Sequence, residues 1–189
     1  MGFWRNRNTE FDLFEILYRQ QHTKFCALAF SITKDRELSR DAVQQAFLKM
    51  YRKRDQLKDK GKFSAWAATI VVNEAKNLLK SANRFNVVPL AEITDDMKAS
   101  QTADSFEYAF VIKDQVKRIL NVLPADDAEI LVLRYYSDLT VEEIATILNL
   151  TGANVKIRLH RARAHFREAV VLEEAAEDLG YGGKFNEIK

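Results

Sequence analysis

Two sets of polar side chains in this sequence have spacings that suit contact with nucleic acid. The first lies between Gly152 and Arg167. Read as a helix at 100° per residue, Val155, Leu159, Ala162 and Phe166 form one narrow apolar stripe, the side to be buried. Opposite lie Ala153, Ile157, His160, Arg161 and Ala164, flanked by Asn154 and Lys156. Arginine and lysine donate to phosphates and base edges, an amide offers donor and acceptor together, and small residues at a helix start permit close approach to a groove. Ile157 is the unusual member, an outward apolar side chain among basic ones. The second set lies on a helix starting at Phe63: Thr69, Asn73, Lys76 and Lys80 form a polar stripe with Trp66 at its edge. Charge for a backbone, hydrogen bonds for base edges and a ring for stacking are what single-strand binding uses. An ordinary solvated helix face shares much of this pattern, and a tryptophan is more often core than platform. Glu74 fits neither side, since the wheel turns it toward the core.

A third face is apolar in a polar rim. Leu48 points away from the inward stripe of Val43, Ala46, Phe47 and Met50 and sits beside Asp41, Gln44 and Gln45, the composition of a protein interface. Catalytic chemistry finds no support. Gly61-Lys62 and Gly183-Lys184 lack the upstream glycine and the following Ser or Thr of a phosphate loop. His22, His160 and His165 have no metal spacing, and no cofactor, metal or small-molecule substrate is expected.

The elements that position these faces are helices. Only 6 Gly and 2 Pro interrupt 189 residues, and 47% of them are hydrophobic. The periodicity predicts a helix from Thr9 to Ile32, as one piece or as two joined by a kink, with Phe11, Phe14, Leu17, Tyr18, Phe25, Leu28 and Ala29 inward. Others follow from about Leu38 to Arg54 and from Phe63 to about Asn83, separated by the charged loop Asp55 to Lys62. Residues 86–105, with Pro89 and the pair Asp95-Asp96, read as a flexible linker. Helices resume from Phe106 to Leu123, ending at Pro124, after which Asp126 with Glu129 is a candidate cap for the next. Thr140-Val141-Glu142-Glu143 is a capping box opening a short helix to Leu148. Asn149-Leu150 turns, Thr151 caps again, and a long basic helix runs to about Leu172. A short capped helix, a tight turn and a basic helix make a helix-turn-helix. The expected fold is all-α: a domain over 1–85, the linker, a helix-turn-helix domain over 106–172, and an acidic tail over 173–189.

The net charge of +2 conceals alternating blocks. Residues 1–84 carry 17 Lys/Arg against 9 Asp/Glu, and 151–167 carry 5 basic residues and no acidic one. Two basic blocks separated by acid suit a chain that touches nucleic acid at two places. The single Cys26, inside the apolar run Phe25 to Phe30, reads as a buried thiol in a reducing compartment. The most hydrophobic uncharged stretch, Trp66 to Val72, is far too short to cross a bilayer, and the chain is expected to be cytoplasmic without membrane insertion.

In order and content these features resemble the extracytoplasmic-function sigma factors. Asp41-Ala42-Val43-Gln44-Gln45-Ala46-Phe47-Leu48-Lys49-Met50-Tyr51 resembles the family's helix that binds the clamp of core RNA polymerase. Phe63-Ser64-Ala65-Trp66, with Ile70, Asn73 and Asn77, resembles the helix that recognises the minus-ten element. Leu123-Pro124, Glu142-Glu143-Ile144-Ala145 and Val155 to Arg163 resemble the region that binds the minus-thirty-five element. The resemblance implies a non-enzymatic initiation factor whose partners are core RNA polymerase, promoter DNA (single-stranded at minus-ten, double-stranded at minus-thirty-five) and an anti-sigma factor. It assigns Asn73 to a flipped-out base and the Asp55 to Lys62 loop to its cradle. Gln45 stands where the family usually has Glu, and Asn154 and Ile157 stand where it has Thr and Ser. The competing reading is a dimeric helix-turn-helix regulator that works without polymerase.

Overall fold

The computed structural model describes residues 7–85 and 114–178, with side chains described for 14–84 and 115–175. The chain divides into two compact units, Met1–Val111 and Ile112–Lys189. The expected linker at 86–105 and the start of the helix placed at Phe106 lie outside the described residues.

The first unit packs three helices. Helix α1, Arg7–Thr33, is one continuous helix and not two. Lys34 closes it in a left-handed conformation (φ 57°), its N–H donating to the Phe30 carbonyl at 2.9 Å. Helix α2, Arg36–Lys53, begins two residues earlier than its apolar pattern does, because Asp35 caps it by accepting from the Leu38 N–H at 2.8 Å. Helix α3 spans Phe63–Phe85. Phe25, Leu28 and Ala29 of α1 meet Val43, Ala46 and Met50 of α2 and Phe63, Ala67, Val71 and Ala75 of α3, all buried. Alanines at these crossings let the helices approach closely, and rings fill what remains: Phe14 lies 6.1 Å from Phe63 and Tyr18 lies 4.5 Å from Phe47. Burial on α3 fades beyond Ala75, and Leu78 is half-covered.

The loop between α2 and α3 contains two short 3₁₀ turns, Arg54–Gln56 and Lys60–Lys62. Asp59 holds the second by accepting from the Gly61 N–H at 2.9 Å. A Cβ at Gly61 would stand 3.2 Å from that same carboxylate oxygen, a tight contact that the exposed Asp59 side chain would have to relieve by shifting.

In the second unit, α4 (Asp114–Val122) is followed by Leu123-Pro124 and then α5 (Ala125–Leu131). Pro124 itself stands at the cap position, with no side-chain cap bond. The expected cap at Asp126 is therefore corrected: the extended proline already starts the helix, and Asp126 lies inside its first turn. From Val132 to Tyr136 the helix widens to a π turn, closed by the Ser137 N–H on the Val132 carbonyl at 2.9 Å. Helix α6, Val141–Leu148, opens on the expected capping box. The Glu143 N–H donates to Thr140 Oγ1 at 3.2 Å, and Glu143 Oε2 accepts from the Thr140 N–H at 2.8 Å. Asn149, at φ 54°, makes the left-handed turn. Helix α7, Gly152–Asp178, starts with Thr151 Oγ1 accepting from the Asn154 N–H at 3.2 Å. It continues to Asp178 rather than stopping near Leu172, and Glu173 pairs with Arg118 of α4. The first residues of the acidic tail thus belong to the helix.

Candidate nucleic-acid interface

The 3.6-residue period turns one side of α3 into the core and leaves the other outward. Asn73, Lys76, Asn77 and Lys80 are exposed, as expected of a contact stripe. Trp66 and Thr69 are half-buried. The Trp66 ring packs 6.0 Å from Phe63, and the Thr69 hydroxyl donates back to the Ala65 carbonyl at 2.8 Å, so both are partly committed to the fold. Glu74, which the wheel left without explanation, is buried and paired with Lys49 of α2 at 2.5 Å.

On α2, Asp41, Gln44, Gln45 and Leu48 are all exposed and Leu48 keeps 48% of its surface, while Ala42, Val43, Ala46 and Met50 on the other side are buried. Tyr51, one turn further along, is a member of the exposed apolar surface that sequence reasoning missed. The Arg54 guanidinium lies 4.5 Å above its ring. An aromatic three residues beyond Leu48 was the available signal.

Helix α7 has one buried and one exposed side. Val155, Leu159 and Ala162 are buried, Phe166 is half-buried, and Asn154, Lys156, Ile157, His160 and Arg161 are exposed, Ile157 at 67%. The basic residues are unequal, however. Arg158 pairs with Asp126 at 2.6 Å, and Arg161 and His165 both reach Asp127, a carboxylate with 2% of its side chain exposed. Neither partner was visible in the sequence. An apolar cavity of about 460 Å³, lined by Val116, Leu120, Val132, Tyr135 and Phe166 among others, also went unseen, because its walls come from α4, the end of α5 with the π turn after it, and α7.

Burial tunes four groups in the first unit. It pushes the Cys26 thiol up to about 12 and the Tyr18 phenol higher still, the latter with a smaller push from Cys26. It lowers His22 and brings Lys34 down to about 8. Among the described residues no group of His, Cys, Asp and Glu could hold a metal ion. No described helix is long and apolar enough to cross a membrane.

Comparison with known proteins matches these units one to one. The Sigma-70 region 2 family covers residues 17–85, and the Sigma-70 region 4 family covers 113–166, together more than half of the chain. The ECF RNA polymerase sigma-E factor of Escherichia coli K12 is 31% identical over 138 residues, spanning 65% of this chain and 69% of that protein. The chain belongs to the ECF family of RNA polymerase sigma factors. A probable RNA polymerase sigma factor of Xanthomonas campestris, RfaY, is 32% identical over 148 residues, which are 77% of this sigma factor but only 37% of the relative. The fold is shared with the sigma factor RpoE of Bartonella quintana, solved in complex with the anti-sigma factor NepR. That match has a TM-score of 0.61 at 22% identity and covers 84% of this chain and 99% of that one. In this sigma factor α1 to α3 are thus the region 2 unit and α4 to α7 the region 4 unit.

Proposed function

We propose that this sigma factor docks on core RNA polymerase through Asp41, Gln44, Gln45 and Leu48 of α2. In this reading Asn73, Lys76, Asn77 and Lys80 of α3, with Trp66 and Thr69 at the edge, take the single-stranded minus-ten element. Asn154, Lys156, Ile157, His160 and Arg161 of α7 read the double-stranded minus-thirty-five element. The chain performs no catalysis of its own: it places the polymerase's active centre at a start site, in the cytoplasm where polymerase works. An anti-sigma factor, the kind of partner with which the Bartonella relative was solved, is its expected repressor.

The observation that carries this reading is the face of α3. An exposed amide, Asn73, stands one and two turns before the exposed Lys76 and Lys80 on a helix whose other side is the core of a unit that also shows Leu48 outward. An amide with both donor and acceptor can replace the pairing a base loses when it leaves the stack.

Run-off transcription with core polymerase on genomic DNA tests it. The expected result is initiation at discrete promoters, with Asn73→Ala weakening open-complex formation and altering preference at one minus-ten position. DNA binding without co-migration with core polymerase would instead mark an operator-binding regulator.

A further inference from the structure

The recognition helix is not held by its apolar stripe alone. Asp127, in the first turn of α5, is buried, with 2% of its carboxylate side chain exposed, and both of its oxygens are occupied from α7. Oδ2 lies 2.6 Å from His165 Nδ1, and Oδ1 accepts from an Arg161 terminal nitrogen at 3.2 Å. The neighbouring Asp126 offers the contrast. Its side chain is 61% exposed, and its pair with Arg158 is the rim type that contributes little. A desolvated carboxylate is a poor way to gain stability, since an apolar residue of similar volume does as well or better there. What it does supply is geometry. With a different donor on each oxygen, the carboxylate cannot turn about its own axis.

Arg161 is the residue this geometry serves. A guanidinium is a rigid plane with five N–H donors. Asp127 takes a donor at one terminal nitrogen, while the Arg161 side chain keeps 53% of its surface exposed, on the side that carries Ile157 and His160. Holding that nitrogen narrows the range of orientations in which the rest of the fork can meet a guanine edge, the bidentate contact that arginine makes in a major groove. We propose that Asp127, locked by His165, is a positioning residue that aims Arg161 for base reading in the minus-thirty-five element. This rests on the reading of α7 given above.

The test uses the full chain with core polymerase and a promoter library randomised in the minus-thirty-five element, sequencing the DNA retained. Arg161→Ala should erase preference at one base pair. Asp127→Asn, nearly isosteric, should lose at least about threefold of the discrimination at that same pair and leave the other positions unchanged, since a good bidentate contact carries roughly five- to a hundredfold. His165 is part-exposed, so its variants keep the question open even if Asp127→Asn folds poorly. His165→Leu should lose part of the same preference, and His165→Gln, which still donates to Asp127, should restore it. Thermal unfolding is followed in parallel. If Asp127→Asn and His165→Leu lower the melting temperature but keep the full preference, Asp127 is a structural residue and the proposal falls. If Asp127→Asn tightens binding to all elements alike, Asp127 withholds Arg161 from DNA, and the proposal also falls. If Arg161→Ala leaves every preference intact, the reading of Arg161 itself is lost and its brace with it.

Discussion

Lys49 Nζ and Glu74 Oε1 lie 2.5 Å apart, tying α2 to α3 across 25 residues of sequence. The pair joins the helix that carries the proposed polymerase face to the helix that carries the proposed minus-ten face, and it is unsymmetrical: 44% of the lysine side chain is exposed but only 11% of the glutamate. Removing the lysine strands a nearly buried carboxylate, whereas neutralising the glutamate leaves a solvated ammonium. Lys49→Ala should therefore cost about 1–2 kcal/mol, less than a fully buried pair because the lysine is half in water, and Glu74→Gln should cost less. Urea unfolding of both variants checks this, and equal losses would show that burial does not set the cost.

The α2 face gives the second expectation. Leu48 is too exposed to matter for the core, so a charge there should leave the fold alone. Leu48→Asp with Gln44→Ala should abolish assembly with core polymerase while the helical circular-dichroism signal stays unchanged. Wild-type affinity for core polymerase would remove α2 from the docking surface.

Ile157 should read a thymine methyl. It is 67% exposed on a face with Lys156, His160 and Arg161, and no part of the described unit covers it. A mixed apolar and charged partner of this kind is offered by the major groove, where the thymine methyl lies beside base-edge acceptors. Losing it should cost about 1 kcal/mol, the lower end of a mismatch. Each thymine of the selected minus-thirty-five site is replaced in turn by uracil, which lacks only that methyl. One replacement should weaken the wild type several-fold and leave Ile157→Ser unaffected. Equal sensitivity of the two proteins at every position would end this role.

Cys26 should behave as an inert core thiol with a measurable pH signature. It is 2% exposed, stands 3.7 Å from the His22 ring, and burial holds its thiol at about 12. The unfolded thiol ionises near 8.5, so above that pH the unfolded state sheds a proton that the native state retains. Stability is thus unaffected by this group below about pH 8.5 and declines as pH rises toward 12. Cys26→Ala should flatten that decline without abolishing it, because the buried Tyr18 phenol contributes the same sign. Melting curves between pH 8 and 11 measure the difference, and identical slopes would mean that the thiol ionises in place.

What the sequence determined by itself is a large share of what depends on near neighbours. The outward aspect of Leu48, Asn73 and Ile157 follows from the helical period, which fixes faces within a few turns. The Thr140 to Glu143 box and the Thr151 cap were legible because a cap is a contact across three residues. Their order along the chain carried the resemblance to sigma factors. The tertiary structure decided what depends on residues far apart. It gave Glu74 its lysine and turned Asp126 from an expected cap into a partner for Arg158, 32 residues away. It also brought Arg161 and His165, 34 and 38 residues distant, onto one buried carboxylate. A wheel places a side chain by its Cβ, but an arginine reaches several ångströms further, so an outward position and an inward partner can coexist. The wheel names the helix proposed to face DNA. Only the packing of α5 against α7 determines which of its basic groups are committed to Asp126 and Asp127.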